Sequence, residues 1–343
     1  MRHLLNTLFV TTEDAYAALD GENVVVKRES AIIARFPLHT LQGIFLFSYM
    51  GASPALMGAC ADRNINLVFC SPNGRFLARI CGESSGNVLL RRTQYRYADN
   101  ETESCLISRA MVFGKVSNAR ACIERTIRDH PNRIDCNAFK SSSAQLKELL
   151  PQILETTSPE RLRGLEGASA SIYFDCVDDM ILSDKEAFYY RGRSRRPPTD
   201  NINALLSFTY SILVNDCAAA LESAGLDSYV GFMHTDRPGR KSLALDLMEE
   251  LRPCFADRFV LTLVNNRVLS AKDFVKQDSG AVMLGDDARK TFFKQLQARK
   301  KEVITHPFLK EKIPWGLVPY VQALLLARYL RGDLDAYPPF LWK

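Results

Sequence analysis

Residues 15–37 read AYAALDGENVVVKRESAIIARFP. Three short runs rich in Ala, Val and Ile (AYAALDG, NVVVKRE and AIIARFP) follow one another with few polar residues between them. Asp20-Gly21 is a turn signal between the first two. Runs of this length and composition predict short β-strands. The pattern extends in both directions: LNTLFVT (5–11) precedes it, and INLVFCS (65–71) and RFLARI (75–80) follow, with Pro72-Asn73-Gly74 as the turn between those two. One helix is predicted at 53–63, SPALMGACADR, with Ser53 as N-cap and Pro54 in the first turn.

Beyond residue 87 the period changes. VLLRRTQYRYA (88–98), a run over 104–129 and SAQLKELLPQIL (143–154) place apolar residues at three- and four-residue intervals, the helical spacing. Further helices are predicted over 165–181, 202–224, 242–251, 286–302 and 316–331. Charged, Pro- and Gly-containing loops separate them, notably RGRSRRPPTDN (191–201) and HTDRPGRKS (234–242). The expectation is an α+β protein, with a small N-terminal β-rich domain over 1–86 and a larger all-α catalytic domain over 87–343. A length of 343 residues agrees with about two domains.

An apolar fraction of 47% and a charged fraction of 24% are those of an ordinary globular protein. Mean hydropathy is −0.11, and no apolar run is expected to reach the roughly 18 residues of a membrane span. MRHLLNTLFVTTEDAY at the N-terminus runs quickly into acids and lacks a small-residue cleavage site, so no signal peptide is expected. The nine cysteines are scattered and never spaced C-x-x-C, which argues for reduced thiols in a cytoplasmic protein. Lys and Arg exceed Asp and Glu by five, an excess compatible with a polyanionic partner without requiring one.

No phosphate loop, strand-linked G-x-G-x-x-G or G-x-S-x-G elbow is present, which weakens NTPase, dinucleotide and hydrolase readings. Three other segments carry candidate chemistry. GLEGASASIYF (164–174) sets Glu166 among small and apolar residues at the predicted start of a helix. A carboxylate there needs either a cation or the exposed amides of the first turn. GFMHTDRPGRKS (231–242) leads His234 out of an apolar approach into a polar loop, where it faces either a cleft or its own backbone. SLALDLMEELRP (242–253) puts Asp246 and Glu249 on one helix face, with Arg252 three residues beyond Glu249. Arg252 would pair with one acid if no metal does. Together these groups form an O,O,N donor set suited to Mg²⁺ or Mn²⁺, able to assist in-line attack at phosphorus. Arg191, Arg193, Arg195 and Arg196 fall within six residues, and Arg289, Lys290, Lys294, Arg299, Lys300 and Lys301 lie on one helix. Both groups suit salt-sensitive phosphate contacts, or else are solvated surface.

Taken in order, GLEGASASIYF, RGRSRRPPTDNINALLSFTY (191–210) and GFMHTDRPGRKSLALDLMEELRP (231–253) resemble the CRISPR-associated adaptation integrase family, the first numbered CRISPR-associated protein, in its type I-C branch. The resemblance runs over essentially the whole chain. It implies that Glu166, His234 and Glu249 are the metal ligands and catalytic residues, with Mg²⁺ or Mn²⁺ as cofactor. Many members carry Asp at the last position. It makes Asp246 an auxiliary acid that supports the site or contacts DNA, and places Arg252 near substrate phosphate. Arg191, Arg193, Arg195, Arg196, Lys290 and Lys294 are the expected DNA-binding residues. The family forms homodimers through the β-domain, and two of them clamp a dimer of the second CRISPR-associated adaptation protein in a 4:2 complex. A separate nuclease can trim the short duplex prespacer, whose 3′-hydroxyl ends are joined to the repeat array. Two other readings remain at this stage: a stand-alone metal-dependent nuclease, and a non-catalytic DNA-binding scaffold. The tail LDAYPPFLWK (334–343) is read either as a docking segment or as a folded-back terminus.

Overall fold

The computed structural model describes residues 6–72, 76–80, 82 and 88–342. The Pro72-Asn73-Gly74 turn and the predicted boundary at 86/87 lie wholly or partly outside them. The chain forms two compact units. One comprises Met1–Ser85, Met283–Ile304 and Ile313–Leu317; the other comprises Gly86–Val282, Thr305–Lys312 and Val318–Lys343.

The first unit is built on strands β1 (Asn6–Val10), β2 (Tyr16–Asp20), β3 (Asn23–Arg28), β4 (Ala31–Pro37) and β5 (Leu41–Leu46), helix α1 (Pro54–Asp62), and strands β6 (Asn66–Cys70) and β7 (Phe76–Arg79). The quoted stretch forms the antiparallel sheet β2-β3-β4, with Ala17 opposite Val26 and Leu19 opposite Val24. Gly21 supplies the positive φ of 57° that the β2–β3 turn needs. A second sheet runs β1-β5-β6-β7, parallel except at β7. Val24 and Val26 of the first sheet share a core with Ile44, Leu46 and Leu67 of the second and with Leu56 of α1. Ser53 caps α1 by accepting the Leu56 N–H at 3.2 Å.

Strand β5 was not anticipated. It lies between β1 and β6, so LQGIFL reads as a short apolar run interrupted by Gly43, which dilutes the alternation expected of a half-buried strand. The helix Asp286–Lys301 also belongs to this unit rather than to the helical one. Phe293 stacks on Phe9 with ring centroids 4.6 Å apart, and Phe292 and Leu296 are buried beside it. Periodicity marks such a helix but not the core it joins.

The second unit is helical: α2 (Val88–Asp99), α3 (Glu101–Asp129), α4 (Cys136–Glu155), α5 (Pro159–Asp175), α6 (Val177–Met180), α7 (Asn201–Ser223), α8 (Ser242–Glu249) and α9 (Arg258–Asn265), with a last helix at Val318–Leu330. Asn100 caps α3 by accepting the N–H groups of Thr102 and Glu103. The long α3 packs on α4, α5 and α8, and α7 packs on α8 and the last helix. Contrary to the sequence expectation, α7 is long and apolar enough for a membrane span. However, 72% of that window is buried, with Asn203, Thr209 and Asn215 among the buried residues, as in a core helix. No disulfide joins the cysteines among the described residues.

Candidate metal centre

Glu166 does not begin a helix. Ser158 accepts the Arg161 N–H, and Pro159 opens α5, so Glu166 stands two turns in. First-turn amides therefore cannot satisfy its carboxylate. A cation does: Lys115 of α3 donates from Nζ to Glu166 Oε1. The same ammonium is 2.6 Å from Glu249 Oε2, while Arg252 Nη1 is 2.9 Å from Glu249 Oε1. Helix α8 ends at Glu249, and a π-helical turn at Arg252–Asp257 follows. The predicted Glu249–Arg252 pair is thus present, and Lys115, which sequence reasoning missed, connects the two carboxylates. Its only signal is a lysine on the apolar face MVFGKV of α3.

Glu249 is almost fully buried, its side chain 3% exposed. Burial pushes its carboxyl upward, but Arg252 and Lys115 outweigh that and hold it at about 2, against an ordinary 4.5. Because the folded value is the lower one, the linked stability is complete above pH 4.5 and is lost as pH falls toward 2. The expected contribution is on the order of 3 kcal/mol. Denaturant unfolding in EDTA should show native stability dropping over that window, and the drop should shrink in Glu249→Gln.

His234 is placed by Asp246. The Asp246 carboxylate is fully buried and accepts the N–H groups of Phe232 (2.7 Å), Met233 (3.0 Å) and His234 (3.0 Å). His234 Nδ1 lies 2.6 Å from Asp246 Oδ1, so a proton on Nδ1 leaves Nε2 as the nitrogen with a lone pair. Gly231 lets the loop come this close: a Cβ there would lie 2.8 Å from His234 O and 2.9 Å from Asp246 Oδ2. Asp246 therefore supports the imidazole and has no surface to offer DNA. Asp246 and Glu249 are one helical turn apart on α8.

Two carboxylates and an imidazole suit a hard divalent cation with a tilt toward Mn²⁺. The local fit is supported by the Lys115 ammonium, a cation that both Glu166 and Glu249 already hold. As the side chains stand, no three His, Cys, Asp or Glu residues among those described are gathered closely enough to hold an ion.

Beside the carboxylates is a cavity of about 20 Å³, lined by Lys115, Ser169, Tyr173, Tyr210, Arg252 and Asp257 among others. It has room for about one water molecule. Tyr210 donates its O–H to Asp257 and lies under Arg252, whose guanidinium is 4.7 Å from the ring centroid. Burial raises the Asp257 carboxyl to about 6 against the pull of Tyr210 and Arg252. Tyr173, Tyr210 and Asp257 were not singled out in the sequence, because each sits in an ordinary helical pattern.

Of the expected DNA-facing residues, Arg191, Arg195 and Arg196 are exposed. Arg193 is turned inward, donating to Asn203 Oδ1 (2.6 Å), Ser194 O (2.7 Å) and Ser207 Oγ (3.0 Å). Lys290 and Lys294 are exposed on Asp286–Lys301, in the other unit from Glu166. Lys290 pairs with Asp287 at 2.9 Å, and acids flanking the run also engage Arg289 and Arg299.

The family model described as CRISPR associated protein Cas1 matches residues 8–298. The chain is 47% identical to "CRISPR-associated endonuclease Cas1 1" of Chlorobaculum tepidum and 49% identical to "CRISPR-associated endonuclease Cas1 2" of Rhodospirillum rubrum, each over all of both chains. It is 35% identical to a "CRISPR-associated exonuclease Cas4/endonuclease Cas1 fusion" of Geobacter sulfurreducens, over 98% of this chain and 60% of that one. Its fold is similar to a casposase bound to integration product (TM-score 0.84, 20% identity, 99% of this chain and 95% of that one). It also matches a chain of a Cas6-RT-Cas1–Cas2 complex (TM-score 0.81, 22% identity, 100% of this chain and 36% of that one). With the family model covering most of its length, the chain belongs to the CRISPR-associated Cas1 family.

Proposed function

We propose that this protein is the integrase of CRISPR adaptation, of the type I-C branch. It joins the 3′-hydroxyl ends of a short duplex prespacer to the repeat array by metal-dependent transesterification. The observation that carries this reading is the convergence of Glu166 and Glu249, from separate helices, on one cationic position, with His234 held by a buried carboxylate one helical turn from Glu249. Paired ammonium alone would make the site a structural knot. The imidazole, fixed through Nδ1 by a buried carboxylate, favours a ligand set instead.

A bound Mg²⁺ or Mn²⁺ would supply Lewis-acid activation of the attacking hydroxyl and stabilise charge developing at phosphorus. The chain's own residues do the rest. Glu166, Glu249 and His234 would hold the ion, and Asp246 fixes the imidazole. Arg252, its side chain 23% exposed and fixed by Glu249 and Tyr210, offers a guanidinium to the substrate phosphate. Arg191, Arg195 and Arg196 contact backbone phosphates without reading bases. One phosphodiester forms as another breaks, so no energy source or covalent protein intermediate is needed. The Cas1–Cas2 complex and the Cas4/Cas1 fusion among the similar proteins support the second adaptation protein and a trimming nuclease as partners. The same reading expects a homodimer, a 4:2 assembly and a cytoplasmic site of action.

The test is strand joining. Labelled duplex with free 3′-hydroxyls and a supercoiled plasmid bearing a repeat array are incubated with the protein, with and without its small partner, in Mg²⁺, Mn²⁺ or EDTA. Label should enter the plasmid only with metal, and Glu166→Gln should reduce transfer by roughly a thousandfold. Metal-dependent cutting without transfer, even with the partner, would establish a hydrolytic nuclease instead. Salt-sensitive DNA binding with no chemistry would establish a scaffold.

A further inference from the structure

The two acidic ligands are held together by a cation that the chain itself supplies. Lys115 Nζ touches Glu166 and lies 2.6 Å from Glu249 Oε2, with only 9% of the lysine side chain exposed. The backbone of α3 is pinned at this point. A Cβ on Gly114 would lie 3.0 Å from Pro339 Cβ and 3.2 Å from Glu250 Cγ, and Asn118 donates to Glu250 O at 2.7 Å. The four-carbon lysine stem is the part free to move.

Glu166 and Glu249 are matched by Lys115 and Arg252. Two carboxylates converging in so buried a place repel each other unless a cation stands between them. Asp257, which lines the adjoining cavity with Lys115 and Arg252, adds a further acid to the set.

We propose that Lys115 is a place-holding cation: its ammonium keeps Glu166 and Glu249 together while no metal is bound, competes with an entering divalent cation for both, and turns toward the substrate phosphate once displaced. This rests on the metal-centre reading above. It makes Lys115 a positioning residue whose ammonium lowers the apparent metal affinity in proportion to the time it occupies the site.

The test uses the full-length protein without DNA. Mn²⁺ is titrated by calorimetry, and thermal unfolding is followed in EDTA and in Mn²⁺, for the native chain, Lys115→Met, Lys115→Arg and Glu166→Gln. Lys115→Met should bind Mn²⁺ about tenfold more tightly or better, melt below the native protein in EDTA, and gain more from Mn²⁺. Lys115→Arg should bind Mn²⁺ more weakly than native, because a guanidinium fork bridges two carboxylates and is harder to displace. Should Lys115→Met fail to fold without metal, Lys115→Arg decides alone, and native or tighter Mn²⁺ binding by it overturns the proposal. Native or weaker binding by a folded Lys115→Met also overturns it, while a loss of binding in Glu166→Gln would leave the metal centre standing. If the native chain binds no Mn²⁺, both the metal centre and the place-holding role are overturned.

Discussion

Asp246→Ala is expected to cost this protein on the order of 3–5 kcal/mol of stability and nearly all of the strand joining proposed for it. The carboxylate has no contact with water and serves four donors at once: three successive backbone amides and His234 Nδ1. Removing it strands those amides in a protein interior and releases the imidazole. The loss of activity should exceed what the loss of folded protein explains. Equilibrium denaturation gives the folded fraction, and strand joining per folded molecule gives the remainder. A variant that folds less well but is fully active per folded molecule would show that His234 does not need its partner.

Deleting residues 334–343 should be about as damaging, for a different reason. Glu250, next to Glu249 in sequence, points the other way, and its carboxylate is fully buried. The tail covers it: Tyr337 donates its O–H to Oε1 at 2.7 Å, and Phe340 donates its N–H to Oε2 at 2.6 Å. Gln322 adds a third donor at 2.9 Å. Farther along, the Trp342 N–H reaches Asn118 Oδ1 at 2.7 Å, and the Arg258 guanidinium is 4.3 Å from the indole centroid. Loss of buried Phe340 alone is worth roughly 3–5 kcal/mol, and Glu250 would be left without two of its donors. A fall of roughly 10–20 °C in the thermal midpoint is expected. A truncated chain that melts with the full-length protein would show that the tail is an accessory. Of the two readings of LDAYPPFLWK, the folded-back terminus is the one found.

These two cases show where local sequence carries the structure and where it does not. Helices such as Val88–Asp99 and Ser242–Glu249 are legible because their apolar spacing repeats every three or four residues. The Glu249–Arg252 pair is legible for the same reason, since one helical turn brings it together. Glu166 was identified, yet its helix begins at Pro159, and the dipole explanation for its charge disappears with that shift. Lys115 lies 51 residues from Glu166 in the chain, and no local pattern joins them. Likewise Phe293 announces an amphipathic helix but not its contact with Phe9. Arg193 and Arg191 look alike in sequence; only the position of Asn203 makes one a structural residue and leaves the other exposed.

The central claim is that Glu166, Glu249 and His234 form a single metal centre, and the most direct measurement is an anomalous-scattering map from crystals soaked in Mn²⁺. The account predicts one strong peak per chain within ligand distance of a Glu166 oxygen, a Glu249 oxygen and His234 Nε2, with the Lys115 ammonium displaced from between the carboxylates. A map with no peak there, and Lys115 still bridging Glu166 and Glu249 at saturating Mn²⁺, would contradict it.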